Sequence, residues 1–496
     1  MKKRSLILVT VDCLRADHVG FSGYSRPVTP FLDSLATSSL VFSDAIVAGA
    51  PTYFSFPAII ASRYPLALGR DVLGIAPSEP TIATVLHDAG YATAAFLAGN
   101  PYLSPRSGYD QGFDTFRDFL DSALPENSVA PANKGRLSEL NNRIQAASLQ
   151  TPLSAAAYDE LYFWYGQWRA ARENFSMDRL RRYPAADVMV DQARSWLSSL
   201  PEEPFFLWLH LMDPHNPYYP PQEALASLGE SKMTARRALF LNSIWNRDLS
   251  AERLRKYRPE ILSLYDAGVH WVDKQVSRLV RALQQFHRWD ETVFVLTADH
   301  GTEFLEHGGR YHGPSNLLEE LIHVPLLLRA PQTPAAHLSQ GPFSQIHLAP
   351  TLLEAVGVAP PESFQGRSHW QQIKAGNLPG DPALAECVPC NNPFRLADRM
   401  RSRLVAVRDR DYKLVLFLNE KTDCMYDLKN DPEEKSPLPA NALPKQRAHL
   451  LEVALAHIQK ARNGQNAELP LRARLRELQQ GMDAKRVRRE AAVVPQ

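Results

Sequence analysis

The chain is poor in cysteine, in net charge and in long apolar runs. Four cysteines in 496 residues, Cys13, Cys387, Cys390 and Cys424, are too few for a disulfide framework. Cys387 and Cys390 form a C-x-x-C, but no second Cys or His pair stands near it at zinc spacing, so free loop thiols are expected. A net charge of +1 removes the electrostatic footprint of a nucleic-acid binder. No run of about 20 apolar residues exists, which excludes a membrane-spanning helix. The opening "MKKRSLILVTVDCLRAD" imitates a secretory leader, but its apolar stretch is short, runs into Asp12 and is followed by no small-x-small site. Ser5–Val11 reads better as a buried first strand, and a cytoplasmic location is expected.

What the chain does have is alternation. Strand-like runs at Ser5–Val11, Ala92–Leu97, Phe205–Leu211, Thr292–Thr297 and in "HVPLLLRAP" are interleaved with helical stretches. These stretches are Pro30–Ala36, Phe54–Ser62, Thr81–Ala89, Ala186–Leu200 and Glu252–Phe286. That rhythm predicts an α/β fold, with a mainly parallel central sheet and helices on both faces. Residues 1–375 are expected to form this catalytic domain, interrupted at about 120–185 by an aromatic-rich helical insertion suited to packing or to a lid over a lipid-like or aryl group. Short antiparallel strands and a helix near 443–462 predict a small α+β subdomain over 376–470. The tail 471–496 is basic and is expected to fray.

Polar residues gather where the strands end. Asp12, Asp213 with His215, and Asp299 with His300 each follow a predicted strand, where open parallel sheets collect ligands. Asp12, Asp299 and His300 offer carboxylate and imidazole donors to one divalent cation. Zn, Mn or Mg suits them, and Ca less well because of the nitrogen. Thr52 stands at the start of a helix. Its hydroxyl has two readings, an N-cap or a nucleophile over a helix N-terminus. A cation beside it would supply what a threonine hydroxyl lacks, a lowered pKa.

The order of "ILVTVDCLRADHVGFSGYSRPVTPFLDSLA", "GYATAAF", "GYDQGFDTF", "FLWLHLMDPHNPYYPP", "LYDAGVHWVDKQVSRLVRAL", "VLTADHGTEFLEHGGRYHG", "HLAPTLLEAVGV" and "YDLKNDPEE" resembles the sulfatase branch of the alkaline phosphatase superfamily. The resemblance covers most of the chain. It implies an alkaline phosphatase-like fold and a metal held by Asp12, Thr52, Asp299 and His300. It also implies that His215 contacts the transferred group, that His312 stands about where sulfatases carry a lysine, and that Asn100 stands about where they carry a sulfate-gripping histidine. His215 or His312 would then serve as general acid, with a pKa suited to neutral pH, and both, with Asn100, would bind substrate.

The departures matter. Sulfatases oxidise a Cys or Ser in a Cys-x-Pro-Ser-Arg type motif to formylglycine. Counting back from Arg63-Tyr64-Pro65, that residue is Thr52 and the motif's arginine is Phe56. Threonine does not give the aldehyde. Cys13 replaces the second aspartate of the family's Asp-Asp pair. A threonine nucleophile resembles the phosphoryl-transfer members of the superfamily. The resemblance therefore implies a hydrolase of phosphodiester, phosphonate or sulfate esters working through a covalent intermediate, on a small-molecule or lipid-like ester. The alternatives are a phospho-alcohol group transferase and a degenerate binder of sulfated or phosphorylated ligands. One metal is expected. Asp213 or Asp266 with His270, or His307 with His215 and Asp213, are the candidates for a second. The sequence gives no oligomeric state.

Overall fold

The structure is a computed structural model that describes residues 3–65, 74–120, 176–313, 316–388, 403–418 and 420–465, with isolated positions between 143 and 161. Most of the predicted insertion lies outside the described residues, and the basic tail and Cys390 lie entirely outside them.

Among the described residues the main sheet has nine strands. At its centre β1 (Ser5–Val11) lies between β5 (Phe205–Leu211) and β6 (Thr292–Ala298), parallel to both. All three are buried along their whole length, as strands covered on both faces must be. Beyond β5 follow β3 (Ala92–Leu97) and the short β4 (Thr115–Arg117), again parallel. Beyond β6 stands β9 (His323–Arg329), antiparallel to both its neighbours, and then β2 (Leu40–Ile46) with β10 (Ala336–Leu338) and β11 (Phe343–Ser344) on its far side. Two reversals at β9 return β2 to the direction of β1. The carboxyl ends of β1, β2, β3, β5 and β6 therefore open on one edge of the sheet.

Two elements differ from the sequence reading. Glu252–Phe286 is not one helix: Ala251–Arg255 and Arg258–Gln285 are separate. Pro259 is the reason, because proline fits the first turn of a helix and not its interior. The helix after β2 runs over Thr52–Ala61 and so begins at Thr52.

A second, antiparallel sheet orders β12 (Ala383–Cys387), β13 (Leu404–Arg408), β14 (Tyr412–Phe417) and β15 (Thr422–Asp427). The alternation of β13 divides its side chains. Val405 and Val407 pack with Leu450, Ala454 and Ile458 of the Pro444–Gln465 helix, while Leu404 and Ala406 join the main core. The backbone N–H of Glu386 donates to Ala48 O at 2.9 Å, tying this sheet to the loop that leads to Thr52. Among the described residues no helix is long and apolar enough to cross a membrane.

Candidate active site

Five strands each deliver a polar side chain to the common edge. Asp12 follows β1, Thr52 follows the loop after β2, and Asn100 follows β3. His210 is the penultimate residue of β5, and Asp299-His300 follows β6. All six are buried.

Thr52 is not an N-cap. Pro51 holds that position, and no side-chain cap bond is made. Thr52 Oγ1 instead lies 3.1 Å from His300 Nε2. His300 Nδ1 lies 2.7 Å from Gly301 O, which can only accept, so Nδ1 carries the proton and Nε2 presents its lone pair to Thr52. Nε2 is also 3.5 Å from Asp299 Oδ2 and 3.9 Å from Asp12 Oδ1.

The two carboxylates are held from behind. Asn100 Nδ2 donates to Asp12 Oδ2 at 3.0 Å, and the backbone N–H of His300 donates to Asp299 Oδ1 at 2.9 Å. Among the described residues, Asp12 Oδ1 and Asp299 Oδ2, both fully buried, have no hydrogen-bond partner. Two partnerless carboxylate oxygens beside a lone-pair nitrogen form a donor set that fits a divalent cation. Burial pushes Asp299 well above the usual carboxylate range, with the neighbouring Asp12 adding to the rise. Burial would raise Asp12 too, but the imidazoles of His215, His300 and His210 hold it well below that range.

The sequence reading missed His210. It looks like one more core position in "FFLWLHL". Its Nε2 stands 3.4 Å from Asp12 Oδ2, and its Nδ1 stands 3.0 Å from Thr10 Oγ1. Trp208 Nε1 in turn donates to that hydroxyl at 3.0 Å. The only available signal was a polar residue on a strand otherwise buried and apolar. Phe56, at the family arginine's place, sets its ring edge-on to His210 at 5.1 Å between centroids.

His215 and His312 also reach the site, with ring centroids 5.0 Å apart, and His312 is 4.6 Å from His300. Burial lowers both pKa values, His312 well below the ordinary range, and the nearby His300 and His215 add to that fall. Asn100 faces Asp12 rather than open space, and its Oδ1 accepts from Tyr102 N at 3.0 Å.

The candidates for a second metal are not brought together. Asp213 turns away and accepts from Ala186 N at 3.0 Å. Asp266 accepts from His18, Tyr24 and Arg26, and His270 Nδ1 is at 3.0 Å from Val28 O. His307 pairs with Glu320. Asp266 is spent on side chains other than Thr52, and Asp213 accepts the Ala186 N–H through Oδ2 while its buried Oδ1 has no hydrogen-bond partner among the described residues.

Cys13 follows Asp12 with φ of 62°, a left-handed conformation that costs a non-glycine residue about 1–3 kcal/mol. Tyr265 Oη, donating to Cys13 O at 2.8 Å, helps to hold it there. Its Sγ lies 3.2 Å from His312 Nδ1 and 3.9 Å from His300 Nδ1. Burial pushes the Cys13 thiol well up, and the charges of Asp12 and Asp299 push it further.

Comparison with known proteins gives a consistent picture. The sulfatase family profile matches residues 4–358, and the profile of the N-sulphoglucosamine sulphohydrolase C-terminal region matches residues 306–461. An N-acetylglucosamine-6-O-sulfatase of Bacteroides thetaiotaomicron is 28% identical over 228 residues, 45% of this chain and 40% of that protein. An N-acetylgalactosamine-6-O-sulfatase of the same organism is 20% identical over 88% of this chain and 89% of its own. The chain thus spans under half of the first relative and most of the second. The crystal structure of a phosphonate monoester hydrolase of Agrobacterium radiobacter superposes with a TM-score of 0.62 at 19% identity, covering 93% of this chain and 96% of that one.

Proposed function

This chain belongs to the sulfatase family, and we propose that it is a divalent-metal-dependent ester hydrolase whose nucleophile is Thr52, acting on phosphodiesters or phosphonate monoesters. One observation carries the reading: Thr52 Oγ1 at 3.1 Å from the lone pair of His300, beside the partnerless oxygens of Asp12 and Asp299. Asp12, Asp299, His300 Nε2 and Thr52 Oγ1 would hold the cation. When bound, it would lower the cost of removing the hydroxyl proton and offset charge on the ester oxygens.

The chain's own residues set the geometry. Asn100 and His210 hold the Asp12 carboxylate from one side, and Cys13 N and His300 N approach Asp299 Oδ1 from the other. The Gly301 carbonyl fixes the His300 tautomer. In the first displacement Thr52 Oγ1 bonds to phosphorus as the bond to the leaving oxygen breaks, and the hydroxyl proton ends on the released alcohol. Water then breaks the Thr52 ester and restores the hydroxyl. One feature favours phosphorus over sulfur esters: threonine does not form the aldehyde that sulfatases use.

Purified protein supplied with Mn²⁺ or Zn²⁺ should turn over bis-p-nitrophenyl phosphate faster than p-nitrophenyl phosphate or p-nitrophenyl sulfate. Turnover of the sulfate alone would overturn the phosphorus preference. Bound metal without turnover of any of the three would point to a group transferase or a binder.

A further inference from the structure

His215 reaches the site from the turn after β5, and every polar group of the residue except Nε2 is fixed. Its N–H donates to Met212 O at 3.0 Å, its ring Nδ1 faces the Asn216 carbonyl, and its own carbonyl accepts from the Tyr183 hydroxyl. Nδ1 beside a carbonyl carries the proton, which leaves Nε2 with its lone pair. One ring nitrogen of His215 lies within 4.8 Å of ligand atoms of Asp12 and Cys13, so the imidazole stands on the Asp12 side of the site.

Tyr183 comes from the far end of the stretch expected as an insertion at about 120–185. From there, the segment Arg181–Ala186 lies along the turn 213–219 like a strap. Arg181 Nε and Nη2 both donate to Tyr219 O at 3.3 Å. Tyr183 Oη donates to His215 O and lies 3.4 Å from Pro217 O. Ala186 N donates to Asp213 Oδ2 at 3.0 Å. The turn is thus gripped at both ends and in the middle. It also rests on the Arg258–Gln285 helix at Gly268, where a Cβ would come within 2.6 Å of Asp213 O.

Of these ties only the Tyr183 hydroxyl is made to His215 itself. The Tyr183 ring meets the His215 ring edge-on, with centroids 5.8 Å apart. Burial pushes the phenol well above its ordinary range, with the charge of Asp12 adding to the rise, so the hydroxyl keeps its proton and donates. Freed from that bond, the peptide after His215 can rotate and carry the imidazole with it. A shift of about 1 Å in a group that faces a reacting centre can cost about a hundredfold in rate.

We propose that Tyr183 is a positioning residue: by holding the His215 carbonyl it fixes the imidazole against an ester bound at Thr52, which makes the end of the insertion part of the substrate site. The proposal rests on the reading of Thr52 as the nucleophile.

The test is a double-mutant cycle on the full-length protein loaded with Mn²⁺, using whichever of the three nitrophenyl esters it turns over. Tyr183→Phe keeps the ring and loses only the hydroxyl. It should lower kcat/KM about tenfold in the wild-type background and by less than about twofold in the His215→Ala background. Bound metal, measured by elemental analysis, should be the same in all four proteins. Binding of inorganic phosphate, followed by calorimetry, should weaken in the same pattern, and it decides the matter if no ester is turned over. Arg181→Gln, which releases the Tyr219 end of the strap, runs the same cycle if Tyr183→Phe does not fold. Equal losses in the two backgrounds, or no loss in either, overturn the proposal. Failure of the nucleophile reading looks different: Thr52→Ala would keep its rate whatever the cycle gives. A wild type that neither turns over an ester nor binds phosphate overturns both.

Discussion

Thr52 Oγ1 and His300 Nε2, 248 residues apart in the chain, meet at 3.1 Å. That contact separates the two readings of the hydroxyl, because the capping position belongs to Pro51. Thr52→Ala should therefore cut ester turnover by at least about three orders of magnitude. Its unfolding free energy should change by no more than about 1–3 kcal/mol, the cost of leaving the buried His300 Nε2 without its partner, far too little to unfold the chain. Thr52→Ser, which keeps the oxygen, should retain most of the rate. Kinetics alongside denaturant melts check this. A Thr52→Ala enzyme of near wild-type rate would return the residue to a structural role.

The facing oxygens of Asp12 and Asp299 make a second prediction. Two buried carboxylates with partnerless oxygens destabilise the metal-free fold, and a bound cation relieves this. At a metal concentration about a thousandfold above Kd, the gain is about 4 kcal/mol. EDTA should thus lower the melting temperature of the wild type, and excess Mn²⁺ or Zn²⁺ should restore it. Asp299→Asn should melt at the same temperature with and without EDTA. A wild-type melting curve indifferent to chelator and metal would contradict the donor set.

Much of this edge was legible from residues alone, and the failures have physical causes. Runs such as Ser5–Val11 and Phe205–Leu211 announce strands because both faces are buried. β2 escapes notice because a bulge between Phe42 and Ala45 places exposed Ser43 and half-buried Asp44 inside it. The direction of β9 leaves no mark on its hydrophobic pattern. Asp12 and Asp213 look alike as acids after strands. Only the fold shows one carboxylate aimed at His300 and the other at the N–H of Ala186. His210 is hidden by its apolar neighbours, although Thr10 and Asn100 both reach its ring nitrogens.

Phe56 explains why restoring the family arginine should not restore the family chemistry. The ring is fully buried, with Trp208 and His210 at 5.5 and 5.1 Å between centroids. Phe56→Arg would bury a charge with no carboxylate prepared for it, at a cost of about 3 kcal/mol or more. Denaturant melts should show that loss, and mass analysis of residue 52 should show no modification. Phe56→Leu should cost less, about 1–3 kcal/mol, through lost ring contacts. A Phe56→Arg variant as stable as wild type would mean that the pocket can pair a cation.

Asp273, in the Arg258–Gln285 helix, accepts the N–H groups of Phe31 and Leu32 at 3.1 and 2.8 Å, at the start of the Pro30–Ala36 helix. Burial pushes its carboxyl up to about 7, with the nearby Asp33 adding to the rise and the two N–H groups opposing it. In the unfolded chain the same group titrates near about 4. Between those values the folded state binds more protons than the unfolded state, so this group makes stability fall as pH rises. The slope reaches about 1.4 kcal/mol per pH unit and ends above about pH 7. Asp273→Asn removes that slope. Denaturant melts at pH 5 and pH 8 should show the wild type losing more stability across the interval than the variant. At pH 5 the variant should give up no more than about 1–3 kcal/mol, because one amide oxygen replaces two acceptors. Parallel losses in the two proteins would show that Asp273 is already ionised in the fold at pH 5.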